Sequence, residues 1–240
     1  MSSRKQPQHL ARKLFDSDHE LFRDNVRRFF ETEVMPHHER WEEQGYVDRD
    51  CWKKAGDNGL LCVTMPEQYG GAGVDRLYST ILIEEAARLG ASGPGFSLHS
   101  DIVSNYLLNF GSEEIKQAYL PAMARGEKIG AIAMTEPGTG SDLKNIRTTA
   151  VRHGDEYVIN GSKTFISNGL NCDLVIVVAK TDPTQTGSKA MSLILVEADR
   201  PGFRRGRKLD KVGQHAADTA ELFFDDVRVP ASNVLGGEGK

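Results

Sequence analysis

The chain has 240 residues, of which 39% are hydrophobic and 27% are charged, and its formal net charge is −4. This composition is typical of a folded protein with one large or two modest domains, and the negative charge argues against a nucleic-acid-binding surface. The longest apolar stretches, 174–179 and 191–196, are too short to cross a bilayer, so no membrane span is expected.

The N-terminus and the cysteines bear on the compartment. Residues 1–14 are basic but lack the apolar stretch of a signal peptide, so a short tail is favoured over a transit peptide. Cys51, Cys62 and Cys172 are an odd number without CxxC spacing, which favours a reducing compartment. The seven histidines are scattered, and no metal site is expected.

The first half of the chain has helical periodicity. Residues 16–39 form the first predicted helix, with Ser17 and Glu20 as a capping box and Pro36 marking its end or a bend. The loop at 65–73 is rich in glycine but lacks the GKS/T ending of a phosphate-binding loop. Further helices are predicted at 49–58, 75–89, 94–109 and 113–124.

From residue 127 the apolar period changes to two, which predicts strands. Asn160 and Gly161 predict a hairpin turn, and residues 227–240 read as a linker. Short strands without βαβ alternation favour a small sandwich or barrel and exclude a dinucleotide-binding parallel sheet. The predicted strands are 129–135, 148–152, 156–159, 163–167, 173–180, 191–197 and 220–224.

Two neighbouring segments combine strands with polar ends. Residues 131–142 (AIAMTEPGTGSD) run from an apolar strand into a glycine-rich bend, whose free N–H groups let a planar ligand or a phosphate approach the main chain. Residues 163–169 (KTFISNG) repeat the arrangement with an aromatic ring at Phe165 and a hydroxyl at Ser167. Either segment alone reads as a strand followed by a surface loop.

Together, MTEPGTGSD (134–142) and YVINGSKTFISNG (157–169) resemble the flavin-binding signature of the acyl-CoA dehydrogenases. The resemblance extends from about residue 15 to about residue 237 and is strongest to the long-chain branch, in HELFRDNVRRFFETEVMPHH, SGPGFSLHS and GRKLDKVGQHAADTAELFFDDVRVPASNVLG. One position departs from the usual signature, because Asn145 stands where a small residue is more common.

The resemblance implies an α+β fold, with an all-α N-terminal domain at 1–127 followed by a small antiparallel β-sandwich or barrel domain at 128–240. The C-terminal helical bundle of the family is absent from these residues. The implied protein is an oxidoreductase of fatty-acid β-oxidation, a flavoprotein with FAD that converts a long-chain acyl-CoA to the trans-2-enoyl-CoA. It passes electrons to an electron-transferring flavoprotein and assembles as a homotetramer, in the bacterial cytoplasm or the mitochondrial matrix.

The resemblance also implies site residues. The cofactor set is Ile132, Ala133, Met134, Thr135, Gly140, Ser141, Phe165, Ile166 and Ser167, and the substrate set is Ser141, Pro94, Gly95 and Ser188. The glycines near Pro94 are expected to deepen the acyl pocket. No catalytic residue is assigned within the chain, because the family's base is expected beyond Lys240. Glu136 and Asp142 read instead as a turn initiator and a cap.

Several alternatives stay open. The basic run at Arg204, Arg205, Arg207 and Lys208 is either a solvated strand edge, which is favoured, or a contact for CoA phosphates. The same fold also serves acyl-CoA oxidases and flavin monooxygenases, which use oxygen as acceptor. A third reading is a non-catalytic fragment that binds flavin or acyl-CoA.

Overall fold

The computed structural model describes residues 14–240. The predicted N-terminal tail, apart from residue 14, lies outside the described residues. Within residues 14–240 no helix is both long and apolar enough to cross a membrane. The described part of the chain consists of a helical half followed by a mostly antiparallel sheet, which confirms the predicted fold class.

The predicted helices are all found in the helical half. They are α1 (Ser17–Phe29), α2 (Met35–Gln44), α3 (Arg49–Asp57), α4 (Arg76–Leu89), α5 (Ser104–Phe110) and α6 (Glu113–Ala124), with π-helical turns at Phe30–Val34 and Leu98–Val103. Pro36 does not end the first helix, because the π-helical turn precedes it and places the proline in the first turn of α2. A proline is tolerated there because its missing N–H would have had no partner within that turn.

The predicted capping box at Ser17 is wrong by one residue. Asp16 is the N-cap of α1, and its Oδ1 accepts hydrogen bonds from the N–H groups of Asp18 and His19, each at 3.1 Å. The Asp16 N–H in turn donates to Nδ1 of His19 at 3.3 Å. A carboxylate competes well for this position because it also interacts favourably with the positive end of the helix.

A buried carboxylate joins α1 to α4. Glu85 on α4 is 2% exposed and accepts hydrogen bonds from Arg27 at 3.1 and 3.2 Å, from Arg88 at 2.8 Å and from Arg23 at 3.2 Å. Burial alone would raise the pKa of Glu85, but these guanidinium hydrogen bonds lower it to about 2. The network therefore fixes the packing of the two helices through one ionised side chain.

The second half of the described chain forms one sheet of eight strands. They are β1 (Gly130–Ala133), β2 (Thr149–His153), β3 (Glu156–Ser167), β4 (Leu174–Lys180), β5 (Met191–Glu197), β6 (Phe203–Lys208), β7 (Thr219–Pro230) and β8 (Val234–Leu235). Their order in the sheet is β6-β7-β3-β2-β4-β5-β8, and β1 pairs with β4. Long antiparallel ladders join β3 to β7 and β4 to β5, whereas the pairing of β1 with β4 is parallel.

The predicted hairpin at Asn160 and Gly161 is wrong. Both residues lie inside the continuous strand β3, at a shift in its register against β7. The Asn160 amide exchanges two hydrogen bonds of 2.9 Å with Asp226 on β7, and a Cβ on Gly161 would lie 2.4 Å from Oγ1 of Thr148. An Asn-Gly sequence usually forms a tight turn. Here it forms a bulge within β3, because Asn160 has a hydrogen-bonding partner on β7.

The expectation of a C-terminal linker is also wrong. Val227 and Val229 are buried in β7, and β8 pairs antiparallel with β5. Leu235 is buried, and the Gly236 N–H donates to the carbonyl of Phe110 on α5 at 2.8 Å. This segment therefore closes one edge of the sheet and attaches it to the helices.

One apolar cluster is shared by the two halves. Strand β4 is buried on both faces, because Val175 and Val177 point into the sheet's own core while Leu174 and Ile176 pack against helices. The helical side of this shared cluster includes Leu107, Leu120 and Met123 from α5 and α6. The sheet is thus held directly against the helical half.

The Glu85 network generates a stability prediction. Because the folded pKa lies below the ordinary value of 4.5, ionised Glu85 stabilises the fold above about pH 4.5, and that stability is lost as the pH falls towards 2. We expect Glu85→Gln to lower the free energy of unfolding by about 3 kcal/mol at neutral pH. The difference from wild type should disappear towards pH 2 in urea titrations.

The matched control is Glu43→Gln, at an exposed position of α2. It should change stability by no more than about 0.5 kcal/mol at any pH. Equal stability of Glu85→Gln and wild type at neutral pH would contradict the role given to the network.

Candidate functional site

The structure places the two polar strand ends side by side. The Thr164 N–H on β3 donates to the carbonyl of Thr135, just after β1, at 2.9 Å. Nζ of Lys163 donates to the carbonyl of Met134 at 3.0 Å. The bend at 134–142 and the segment at 163–169 therefore form one continuous surface.

A buried ion pair fixes the two segments to each other. Nζ of Lys163 lies 2.9 Å from Oε1 of Glu136, and the two side chains are 0% and 6% exposed. Glu136 also accepts hydrogen bonds from the N–H groups of Arg147 at 2.6 Å and Thr148 at 3.0 Å. Burial lowers the pKa of Lys163, whereas these hydrogen bonds hold the pKa of Glu136 below its usual value despite burial.

The bend after β1 is a closed turn whose outer side is open. Glu136 and Thr139 exchange backbone hydrogen bonds of 2.9 and 3.0 Å. A Cβ built on Gly138 or Gly140 meets no protein atom within 4 Å. Within residues 14–240, the N–H groups of Gly140 and Ser141 donate to no protein acceptor. The bend therefore presents donors to a ligand that comes close to the main chain.

Phe165 has an unusual conformation. Its φ is +59°, and its side chain is 67% exposed although it lies within β3. A bulky residue at positive φ is strained, and such strain persists where the surrounding structure imposes it, commonly at functional sites. The register shift of β3 between Lys163 and Ile166 accounts for the change in direction. The ring is thus presented outward beside the bend.

The predicted cofactor residues divide by exposure. Ala133 and Ile166 are buried in the sheet core, so only their backbone groups can face a ligand. Ile132, Met134 and Thr135 are half-buried at the end of β1. The exposed members are Gly140, Ser141, Phe165 and Ser167. The arrangement provides a flat ring, hydroxyls and main-chain donors, which suits a planar heterocycle with a polar edge.

Asn168 joins this surface to the helical half. It is 3% exposed with φ +60°, and its Nδ2 donates to the carbonyls of Gly130 at 3.2 Å and Gly95 at 3.3 Å. A Cβ on Gly95 would lie 2.1 Å from Oδ1 of Asn168. The space that Gly95 leaves is thus filled by Asn168, and it does not deepen the pocket as the sequence had suggested.

His99 fixes the start of β1. It is completely buried, its Nδ1 accepts from the Gly130 N–H at 3.0 Å, and its Nε2 donates to the carbonyl of Met123 at 3.1 Å. Burial lowers the pKa of His99 to about 4, so the ring is neutral at neutral pH. This neutral ring connects α6 to the strand that leads into the bend.

A cavity of about 320 Å³ lies between α4 and residues 91–101. Pro94, one of the predicted substrate residues, lines this cavity, whereas Gly95 does not. The walls are mainly apolar and consist of Phe30, Leu60, Val63, Ser79, Leu82, Ile83, Ala86, Ala91, Ser92, Pro94, Phe96, Ser97, Ser100, Asp101 and Gln214. The hydrogen bond between Asn168 and Gly95 brings one end of this cavity next to the surface at 163–169.

The remaining predicted contacts lie elsewhere on the sheet. Ser188 is exposed in the 3₁₀ turn Gly187–Ala190 between β4 and β5. The basic run forms β6 at the edge of the sheet, where Arg205 donates to the carbonyl of Cys172 at 2.6 Å and Lys208 to that of Gln44 at 2.9 Å. Two of its cations are therefore engaged with backbone carbonyls.

Neither acidic residue of the bend has the environment of a free base. Glu136 is committed to Lys163 and to two backbone N–H groups, which keep it ionised and bonded. Asp142 accepts a hydrogen bond from Nδ2 of Asn145 at 2.6 Å at the start of a 3₁₀ turn. Glu136 lies at the start of the turn, as predicted for a turn residue. Asp142 occupies the N-cap position of the 3₁₀ turn, but its side chain accepts no hydrogen bond from a backbone N–H there, so the predicted capping interaction is not formed.

Sequence reasoning missed the residues that hold the site together. In the sequence, Lys163 and Asn168 stand out only as members of the segment KTFISNG, and His99 only as one of seven scattered histidines. One signal for Lys163 was available, namely a charged residue in a strand next to an acidic residue in a neighbouring bend. No comparable signal identifies His99, because its partners Met123 and Gly130 lie 24 and 31 residues away.

The halves of the chain match two parts of one family. Residues 16–127 match the description "Acyl-CoA dehydrogenase, N-terminal domain", and residues 131–227 match "Acyl-CoA dehydrogenase, middle domain". The two matches together define the class of the chain as the N-terminal and middle domains of one flavoenzyme family. The chain belongs to the acyl-CoA dehydrogenase family.

The relatives extend well beyond this chain. The long-chain specific acyl-CoA dehydrogenase of Rattus norvegicus mitochondria is 52% identical over 95% of the chain, which covers 54% of the rat protein. The chain thus spans about half the length of the curated relatives that it matches.

Solved structures agree with the fold. An acyl-CoA dehydrogenase from Geobacillus kaustophilus superimposes with a TM-score of 0.92 and 52% identity, over 95% of this chain and 60% of that one. An acyl-CoA dehydrogenase from Bacillus anthracis, described as complexed with FAD, superimposes with a TM-score of 0.85 and 35% identity, over 94% of this chain and 38% of that one.

The ion pair between Lys163 and Glu136 can be tested by stability measurements. Lys163→Met leaves a buried carboxylate without its counter-charge, so we expect the free energy of unfolding to fall by about 3–5 kcal/mol. The double variant Lys163→Met/Glu136→Gln removes both charges and should recover part of that loss in urea titrations.

Lys144→Met is the matched control, because Lys144 is an exposed lysine in the 3₁₀ turn Leu143–Asn145 that follows the bend. Its effect should stay within about 0.5 kcal/mol. The single variant Glu136→Gln completes the comparison. If the effects of Lys163→Met and Glu136→Gln simply add up to the effect of the double variant, the pair does not couple the two segments.

Proposed function

We propose that this chain is the FAD-binding and acyl-CoA-binding part of an acyl-CoA dehydrogenase of the long-chain type. The observation that carries the proposal is the junction of Thr135 with Thr164, which sets the strained, exposed Phe165 beside an open glycine-rich bend. Relatives described as complexed with FAD, or in complex with FADH2, share this fold. The residues present fit a flavin, since they combine a ring, hydroxyls and unpaired N–H groups.

In this proposal each residue has a binding role. The polar edge of the flavin would be hydrogen-bonded by backbone groups and by the Thr135 hydroxyl. The backbone groups belong to Ile132, Ala133, Met134, Thr135 and Ile166. Phe165 would pack against the flavin ring system, and Ser167 would offer a hydroxyl to its hydride-accepting part. Gly140 allows close approach of the main chain, and Ser141 contacts both flavin and substrate. FAD, when bound, accepts the hydride that leaves the β-carbon of the thioester.

The acyl chain is proposed to occupy the cavity beside α4, with Pro94 in its wall. Gly95 contributes indirectly, because its carbonyl accepts from Asn168 at the end of β3. Ser188 is retained as a proposed substrate contact from the turn at Gly187–Ala190. The group that removes the α-proton is proposed to lie outside residues 1–240, because Glu136 and Asp142 are engaged within the bend.

The wider assignments follow from the same proposal. The helical domain is proposed to occupy residues 1–127 and the β domain residues 128–240. The electron acceptor is proposed to be an electron-transferring flavoprotein, and the complete protein a homotetramer in fatty-acid β-oxidation. The compartment is proposed to be the mitochondrial matrix or the bacterial cytoplasm, in line with the mitochondrial relatives.

A direct test is to express the whole natural reading frame that contains this chain and to record its spectrum and turnover. We expect bound FAD, its bleaching by a long-chain acyl-CoA without oxygen, and recovery on adding an electron-transferring flavoprotein. Rapid reoxidation by oxygen would favour the oxidase reading instead. Flavin binding without bleaching would favour a non-catalytic protein, and absence of flavin binding would overturn the proposal.

Ser167→Ala tests one proposed contact. The variant loses one hydrogen bond to the flavin, worth about 1–2 kcal/mol, so FAD affinity should fall about 5–30-fold or the flavin potential should become lower. Titration with FAD and potentiometry measure the two effects.

Ser232→Ala provides the control, because Ser232 is an exposed serine near the other end of β3 from Ser167. It follows Pro230, which pairs with Glu156, the first residue of β3. This variant should leave both quantities unchanged. If Ser167→Ala binds FAD with wild-type affinity and its flavin has the wild-type potential, Ser167 does not contact the flavin.

A further inference from the structure

The cavity beside α4 has two distinct ends, one near the proposed flavin surface and one remote from it. Two of its walls are α4 and residues 91–101, and the chain reverses between them, because Asp101 returns to within 2.7 Å of Ser79, near the start of α4. Ala86 and Pro94 line the end near that loop, whereas Ser79 and Asp101 line the other end. Residues 79 and 86 are separated along α4 by about 10 Å. The end near Pro94 lies next to Asn168 and the proposed flavin surface.

The far end of the cavity is polar. Oγ of Ser79 donates to Oδ1 of Asp101 at 2.7 Å, and Ser79 is 7% exposed. Among residues 14–240, no side chain donates to the second carboxylate oxygen of Asp101. Burial raises the pKa of Asp101, which shows that water solvates this carboxylate only in part.

A carboxylate is an unusual choice for a pocket that holds only a hydrocarbon tail. A methyl group placed against it would take further water from the charge and return no hydrogen bond, at a cost in binding. Asp101 also borders a shallower groove with Ile102 and Tyr106, so the far end approaches the surface and is not sealed by apolar side chains. The central walls, in contrast, are apolar at Leu82 and Phe96.

From this arrangement we infer that the cavity selects acyl chains that carry a hydroxyl group at the end remote from the thioester, with Asp101 as the residue that recognises it. The hydroxyl donates to the free oxygen of Asp101, while Ser79 holds the carboxylate in place. A chain that ends in a carboxylate is repelled by the same group. This inference rests on the proposed function, because it assumes that the cavity holds the acyl chain.

The test compares binding of acyl-CoA thioesters with matched chain length that end in a methyl, a hydroxyl or a carboxylate. Isothermal titration calorimetry on the wild-type chain, without turnover, should give about tenfold or tighter binding for the hydroxyl ligand than for the methyl ligand, as expected for a hydrogen bond to a charged acceptor. A series of chain lengths identifies the length at which the difference is greatest.

Two variants assign the effect to Asp101. Asp101→Leu should abolish or reverse the preference for the hydroxyl ligand. Asp101→Asn should allow the carboxylate-ended ligand to bind at least tenfold more tightly than wild type does, a gain that misfolding cannot imitate. Asp57→Asn, at an exposed aspartate at the end of α3, should change none of the three affinities.

The outcomes separate the two levels of the argument. Equal wild-type affinity for the hydroxyl and methyl ligands, or a preference that survives Asp101→Leu, overturns this inference and leaves the proposed function in place. Failure of every thioester to bind overturns the proposed function, and this inference with it.

Discussion

The ion pair between Lys163 and Glu136 is the interaction on which the site depends. It joins a bend after β1 to β3, and two hydrogen bonds link the same segments beside it, from the Thr164 N–H to the Thr135 carbonyl and from Nζ of Lys163 to the Met134 carbonyl. Glu136 extends the connection to the start of β2 through the N–H groups of Arg147 and Thr148. A buried pair of this kind is costly to desolvate, and its directional bonds fix a geometry that apolar contacts would leave loose.

The helical half supports the same surface from behind. His99 holds the first residue of β1 against α6, and Asn168 holds the end of β3 against Gly95. Both side chains are buried and use hydrogen bonds that point in two directions. The apolar cluster shared by β4 and α6 supplies the area that keeps the halves in contact. The position of Phe165 is therefore decided jointly by the helices and the sheet.

Much of the fold was predictable because its signals are local. Helix α6 (Glu113–Ala124) and strand β5 (Met191–Glu197) were predicted with the bounds observed, since the spacing of apolar residues and the flanking turns determine them. The failures are long-range. Asn160 is drawn into β3 by Asp226, which lies 66 residues further on, and no local pattern contains that information. The structural role of Lys163 could not be predicted for the same reason, because its partner Glu136 lies 27 residues earlier in the chain.

The close fit of Gly95 against Asn168 has a consequence for any change in the shape of the cavity. No side chain can enter at position 95 without displacing the amide that anchors the end of β3. A substitution at this position would therefore shift Ser167 and Phe165 together with the cavity wall. Leu82 and Ala86, in contrast, face the cavity from α4. Substitutions on that helix are thus the ones expected to alter the volume while leaving the strand end in place.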